Sequence, residues 1–311
     1  MTQFVVRRLM QSLFLLVVIL AGVFFLVHLT PGGPEAALLA NPRIGPDEVQ
    51  RLRERFGLDQ PLVLQYLRWV SNGLRLDFGR SYFYSRPATE VILERLGPTV
   101  QLGLLSYVVA LLGVPLGMLA ALNAGKPQDT IVRLFSTLGT AVPTWWLGLT
   151  IIVGLNSLTG WFPNGQGRGS PGEWLKYIIV PATVLGLSGL VSFARFVRSG
   201  VLDTLREDYV RTARAKGLNA RAVVLRHVLR NALLPVVTLL GGLLPVVLSG
   251  AIVTEYVFAW PGVGLLFYEA ATSRDYPILL AVLTMTTFAT ILGTLLADVS
   301  YGLVDPRVRY A

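Results

Sequence analysis

The chain has 311 residues, of which 53% are hydrophobic and only 14% charged, a composition too oily for a soluble domain of this length. It has no cysteine, which excludes disulfides and thiolate chemistry, and its net charge of +9 raises nucleic acid as a partner only until the charges are placed along the chain. These features define a polytopic membrane protein, all-α because helices satisfy their own backbone in lipid.

In chain order, a short basic tail with Arg7 and Arg8 precedes an apolar run from Leu9 to Leu29. About twenty residues at 1.5 Å each match the hydrocarbon thickness, so this run is expected to span. A cleaved signal peptide would share the basic start, but Thr30-Pro31-Gly32-Gly33-Pro34 offers no convincing small-x-small cleavage pattern.

The region from Glu35 to Pro98 is the sizeable polar stretch and predicts a small helical cap on the outer surface. Its pieces are a helix after Pro46 carrying Val49, Leu52 and Phe56 and stopped at Gly57, a second from Leu62 to Leu74, and a third over Val91–Leu96. Five more hydrophobic runs follow at about Thr99–Leu122, Ile131–Leu158, Tyr177–Val197, Leu233–Phe258 and Ile278–Leu303, making six spans. Pro115, Pro143 and Pro245 lie inside these runs and should bend or interrupt them. The organisation expected is a unit over 1–98 (first span and cap) and a five-helix core over 99–311.

An even number of spans puts both termini on one side, and the positive-inside bias makes that side cytoplasmic. In this arrangement the whole positive excess lies inside, while the long outer loop is nearly neutral, its nine arginines facing eight acids. Nucleic acid is therefore not expected as a partner; membrane lipid and an intracellular protein are.

Catalytic signatures are missing from the sequence. Gly167 to Gly172 has G-x-G-x-x-G spacing but no preceding strand, and Pro171 spoils a helix start, so it reads as a turn. Gly125-Lys126 lacks the rest of a phosphate loop, so no ATP-splitting site is expected in this chain. No H-E-x-x-H or G-x-S-x-G is present, and neither His28 nor His227 has a ligand partner nearby in sequence. Gly113-x-x-x-Gly117 could bring two helices close, or could merely loosen the chain beside Pro115. Trp145, Trp146 and Trp161 suit an aromatic belt. Among intramembrane charges, Arg195 and Asp298 lie near cytoplasmic ends and are expected to pair. Glu255 either faces a translocation cavity or anchors the Trp260-Pro261-Gly262 turn.

The stretch from Arg206 to Pro235 organises the rest. It inserts seven Arg/Lys between two apolar runs, and Leu202, Leu205, Tyr209 and Ala213 are spaced for one helical face. Gly217 interrupts the pattern and Asn219 can cap a new turn. Two short helices meeting at a glycine outside the bilayer would present a knob to a soluble partner. The residues expected at that contact are Ala213, Arg214, Ala215, Lys216, Gly217, Leu218, Ala220, Arg221 and Leu225.

DYVRTARAKGL, then His227, then NALLP resemble the cytoplasmic coupling loop of ABC-importer permeases of the peptide/nickel type. FVVRRL at the amino terminus, LRERFGLDQPLVLQYLRWVSNGLRLDFGRSY, TEYVFAWPGVG and the terminal DPRVRY extend the resemblance over nearly the whole chain. Arg211 stands where many such permeases carry glutamate, and Pro235 lies further from Gly217 than is usual, so the generic glutamate contact is not carried over. The resemblance implies a type I ABC importer permease fold, with six transmembrane helices and a coupling loop over 198–232. It further implies a second homologous permease subunit, two cytoplasmic ATPases that hold ATP and Mg, and an extracytoplasmic solute-binding protein. Short peptides are the implied cargo, with nickel or another small solute as the alternative. A self-contained secondary transporter is the competing class; it would need an ion-coupling site and an internal repeat.

Overall fold

The computed structural model describes residues 2–29, 50, 59–163, 173–224, 228–229 and 251–304, without side chains at 2–5, 220–221 and 297–304. Every element among them is a helix, apart from one isolated bridge between Arg80 and Pro87. In order these are α1 (Thr2–His28), α2 (Leu62–Gly73), α3 (Ala88–Leu111), α4 (Gly113–Leu122), α5 (Pro127–Ala141), α6 (Thr144–Thr159), α7 (Trp174–Leu205), α8 (Asp208–Ala215), α9 (Ala220–Val223), α10 (Ile252–Val257), α11 (Val263–Ser273) and α12 (Tyr276–Val304).

Among the described residues four stretches are long and apolar enough to cross a membrane: Val6–His28, Ala88–Leu122, Trp174–Leu205 and Tyr276–Leu296. The fifth candidate is α5 with α6, a pair bent by 100°. Its break lies at Val142 and Pro143, both extended (ψ 121° and 132°), because proline pushes the preceding residue out of helical geometry. The run Ile131–Leu158 is thus two helices at a corner. Of Leu233–Phe258, only the last residues are described, and α10 there is six residues long; Pro245 falls outside the described residues. So do the helix expected around Val49 to Phe56, apart from Gln50, and the turn at Gly167 to Gly172.

The central helix is α7, against which α3, α4 and α5 all pack. Its close approach to α4 depends on Gly113 and Gly117, where a Cβ would run into the α7 backbone at Leu190 and Ala194. The G-x-x-x-G spacing therefore makes a helix contact. Elsewhere on α7, Gly186 meets the Ser106 carbonyl of α3 in the same way.

The expected short helix over Val91–Leu96 is instead the first part of α3, which continues through Pro98. The boundary drawn after residue 98 accordingly falls inside one helix. The Pro98 carbonyl inside this helix accepts the Trp260 Nε1–H (2.9 Å), which joins α3 to the segment between α10 and α11.

At one end, Phe24 and Val27 of α1 join Val91 and Ile92 of α3, Leu266 of α11 and Ile278 of α12 in one apolar core. The 81–84 loop is tied to this core through the buried Asp275. Its carboxylate accepts from the Ser81 hydroxyl and from the Tyr82 and Phe83 N–H groups (both 3.2 Å). Burial pushes the Tyr82 phenol above its ordinary range, and the Asp275 carboxylate pushes it further the same way.

Candidate functional site

The knob foreseen between the fourth and fifth runs is present, with a different inner face. α7 ends at Leu205, and Glu207 is extended (ψ 145°) before α8 begins at Asp208. That break resets the register, so the stripe Leu202–Leu205–Tyr209–Ala213 is not one helical face. Val210 takes the inward place and Tyr209 is exposed. Val210 and Ala213 of α8, Val223 of α9 and Val228 bury themselves with Val197 and Val201 of α7, and Leu202 and Leu205 pack alongside. The knob is thereby fixed to the end of the central helix rather than hung from a loose loop.

Its outer edge is a Schellman turn. Gly217 has φ +78°, a left-handed conformation that glycine adopts without a Cβ penalty. The Gly217 N–H donates to the Arg214 carbonyl (2.9 Å) and the Leu218 N–H to that of Ala213 (3.4 Å), which satisfies the last carbonyls of α8. Asn219 then caps α9, its Oδ1 accepting the Ala222 N–H at 2.8 Å. Both features are legible in the sequence, because glycine and asparagine carry specific backbone chemistry at helix ends.

Of the residues expected to meet a partner, Arg214, Ala215, Lys216, Gly217 and Leu218 lie outward as one continuous exposed segment. Ala213 is a correction: it is 5% exposed and belongs to the inner core, because it stands three residues after the inward Val210. For Ala220 and Arg221 only the backbone is described, and Leu225, His227 and Pro235 lie outside the described residues. Arg211 is exposed and lies 3.4 Å from Asp208, a pair on the knob's own surface.

A buried ion pair ties the neighbouring segment to the same helix. Arg198 of α7 donates from Nε (2.6 Å) and Nη2 (2.9 Å) to the two oxygens of Asp129, which is 2% exposed. The Gly125 N–H also donates to this carboxylate (3.1 Å), so the turn before α5 is pinned close to the root of the knob. The expected pair was Arg195 with Asp298. Arg195 is exposed and its guanidinium lies 5.8 Å from the Phe196 ring centre, whereas the Asp298 side chain lies outside the described residues. Residues 69 apart carry no local signal of pairing, which is why sequence reasoning misses Asp129 and Arg198.

Glu255 is fully buried and belongs to a closed knot. It accepts from the Thr99 hydroxyl (2.9 Å) and the Leu265 N–H (3.0 Å), while Thr99 accepts from the Val263 N–H (2.7 Å). A Cβ at Gly262 would strike the Glu255 carboxylate, and one at Gly264 would lie 2.8 Å from the Ile252 Cα. Of the two roles open to Glu255, the geometry gives it the anchoring of the α10–α11 turn. Among the described residues no group of three His, Asp or Glu could hold a metal ion.

An apolar helical fold with a projecting basic knob matches a known family model. Residues 113–310 match the model of the binding-protein-dependent transport system inner membrane component, and residues 1–103 match that of its N-terminal region. The chain belongs to this family of inner membrane transport components. Among curated relatives, the Bacillus subtilis oligopeptide transport system permease protein AppB is 37% identical over the whole of both chains. The glutathione transport system permease protein GsiC of Escherichia coli K12 is also 37% identical over the whole of both, and a Brucella abortus putative peptide transport system permease protein is 35% identical. In fold, a chain from the inward-facing MetNI methionine ABC transporter aligns with a TM-score of 0.50 at 18% identity, over 69% of this chain and 96% of that one. This inner membrane component is accordingly a multi-pass membrane permease rather than the catalytic part of a transport system.

Proposed function

We propose that the chain is one of two permease subunits in an ATP-driven importer of short peptides. In this reading it has six spans with both termini in the cytoplasm, receives peptides from an extracytoplasmic solute-binding protein, and pairs with a second homologous permease. Two cytoplasmic ATPases bind ATP and Mg and act on the knob. The names of full-length relatives support the cargo class. The observation that carries the mechanism is the exposed segment Arg214–Leu218, bolted through Val210 and Ala213 onto the end of α7. A push there moves the central helix as a body, which is how closure of a soluble ATPase can bias a two-state membrane element. Arg214 and Lys216 supply cations for acids on the ATPase, and Gly217 keeps the turn low enough for close approach.

Gly217 allows a clean test because nothing lies within 4 Å of where its Cβ would be. Substitution there adds only the left-handed strain of about 1 kcal/mol to the subunit itself. Gly217→Asn, which tolerates that conformation, is expected to assemble and transport. Gly217→Trp is expected to keep the thermal stability of the isolated subunit yet lose ATP-dependent peptide uptake in proteoliposomes at least about tenfold, since a bulky group blocks the docking face. Normal assembly and uptake by Gly217→Trp, or uptake without the ATPases, would overturn the proposal.

The orientation has its own check. A cysteine replacing Lys216 in this cysteine-free chain is expected to react with an impermeant maleimide only after the membrane is opened, as the charge bias requires. Labelling in intact cells would place the knob outside.

A further inference from the structure

We infer that α2 is a membrane-surface helix that lies in the outer-leaflet interface, with outer-leaflet lipid as its partner. No residue of α2 is fully buried, although more than half its positions are apolar and it contains no acid. Its inner face leans on the outer end of α1: the Tyr66 ring lies 5.4 Å from Phe24 and 5.8 Å from Phe25, and the Trp69 ring 5.6 Å from Phe24. Those contacts fix the height of α2, since Phe24 and Phe25 are within about a turn of the end of a spanning helix. The level is that of the lipid headgroups, where tyrosine and tryptophan are enriched.

The two remaining flanks differ chemically. At 100° per residue, Val63, Leu67 and the capping Leu74 fall on one side of the aromatic face, and Arg68 and Asn72 on the other. Val63, Leu67 and Leu74 are 61%, 56% and 84% exposed, and no described residue covers them. Leu26 and Leu29 at the end of α1 are likewise exposed (71% and 72%), which is consistent with an acyl boundary at this level. On the opposite flank Arg68 is exposed and supplies a cation for headgroup phosphates, the charge complement that an interfacial helix uses. A water-soluble protein docking onto this flank would instead have to leave the lipid-facing side of α1 uncovered beside it.

The inference needs the chain to be embedded in a membrane, not any particular cargo. Single cysteines at Leu67, Asn72 and the exposed mid-span Phe14 can be labelled with bimane in the assembled transporter in phosphatidylcholine/phosphatidylglycerol nanodiscs. Doxyl groups at carbon 5 of the lipid are expected to quench the Leu67→Cys label at least about twofold more than the Asn72→Cys label, with iodide showing the reverse order. The Phe14→Cys label should respond to doxyl alone. A Leu67→Cys label reached by iodide and not by doxyl, or shielded from both by a protein cover, overturns the interfacial placement. If the Phe14→Cys label is also untouched by doxyl, the membrane reading itself has failed. Should the Leu67→Cys variant not insert, Val63→Cys reads the same flank.

Discussion

Gly117→Leu is expected to prevent the subunit from folding. A Cβ at position 117 would press on the Ala194 backbone, with the Ala194 Cα only 3.0 Å away, so nothing flexible can yield. α4 would have to leave α7, and with it the contacts that Ala120 and Ala121 make on being buried. The loss expected is about 3 kcal/mol or more, the upper end of the overpacking range, because the clash is with backbone that cannot repack. Thermal unfolding of the purified subunit in detergent, or its amount in the membrane, measures it. Gly22→Ala is the matched control: it is also a helical glycine, but nothing lies within 4 Å of its Cβ position. That variant should be as stable as the parent or gain up to about 1 kcal/mol from helix propensity. Equal stability of Gly117→Leu and Gly22→Ala would show that α4 and α7 do not meet at these glycines.

Asp129→Ala comes next in size. It leaves the Arg198 guanidinium without its two short hydrogen bonds and frees the Gly125 N–H. Breaking a buried pair by removing one partner costs about 3–5 kcal/mol, and the lower end applies here because Arg198 remains 23% exposed to solvent. Denaturant unfolding of the subunit should show about that loss, whereas Asp129→Leu with Arg198→Met should recover part of it, since no charge is then stranded. Equal stability of the single variant and the parent would mean that the pair contributes nothing. Because Arg198 lies one turn before Leu202 at the root of the knob, uptake by the assembled transporter should fall along with stability.

Local chemistry makes the knob legible in the order of the residues. Glycine alone enters a left-handed turn without strain, which marks position 217; Asn219 is a natural cap, and Pro143 forces its predecessor out of the helix. Each acts within a few residues, so each leaves a signature in the chain. Elsewhere a break in the helix or a partner far along the chain decided the outcome. The boundary drawn after residue 98 falls inside α3, a helix running from Ala88 to Leu111, whose Pro98 carbonyl accepts from Trp260, 162 residues away. Ala213 looked like part of a docking face, and turned inward because the extended Glu207 shifted the helical register before it. The expected partner of Arg195, Asp298, has its side chain outside the described residues, and a short ion pair forms instead three residues further on, between Arg198 of α7 and Asp129 of α5.

Composition, hydropathy and charge bias by themselves determined that this is a helical multi-pass membrane protein, and motifs spread over its length determined its family. Those properties depend on how many apolar residues occur in a row and which residues stand at helix ends, and both are written in sequence order. Tertiary structure alone decided that α7 is the central helix, that Asp129 pairs with Arg198, and that Glu255 closes a knot with Thr99 and Leu265. A carboxylate in an apolar run states only that it needs partners. Which donors arrive depends on how helices far apart in the chain cross, and that crossing is set by where glycines let two backbones touch.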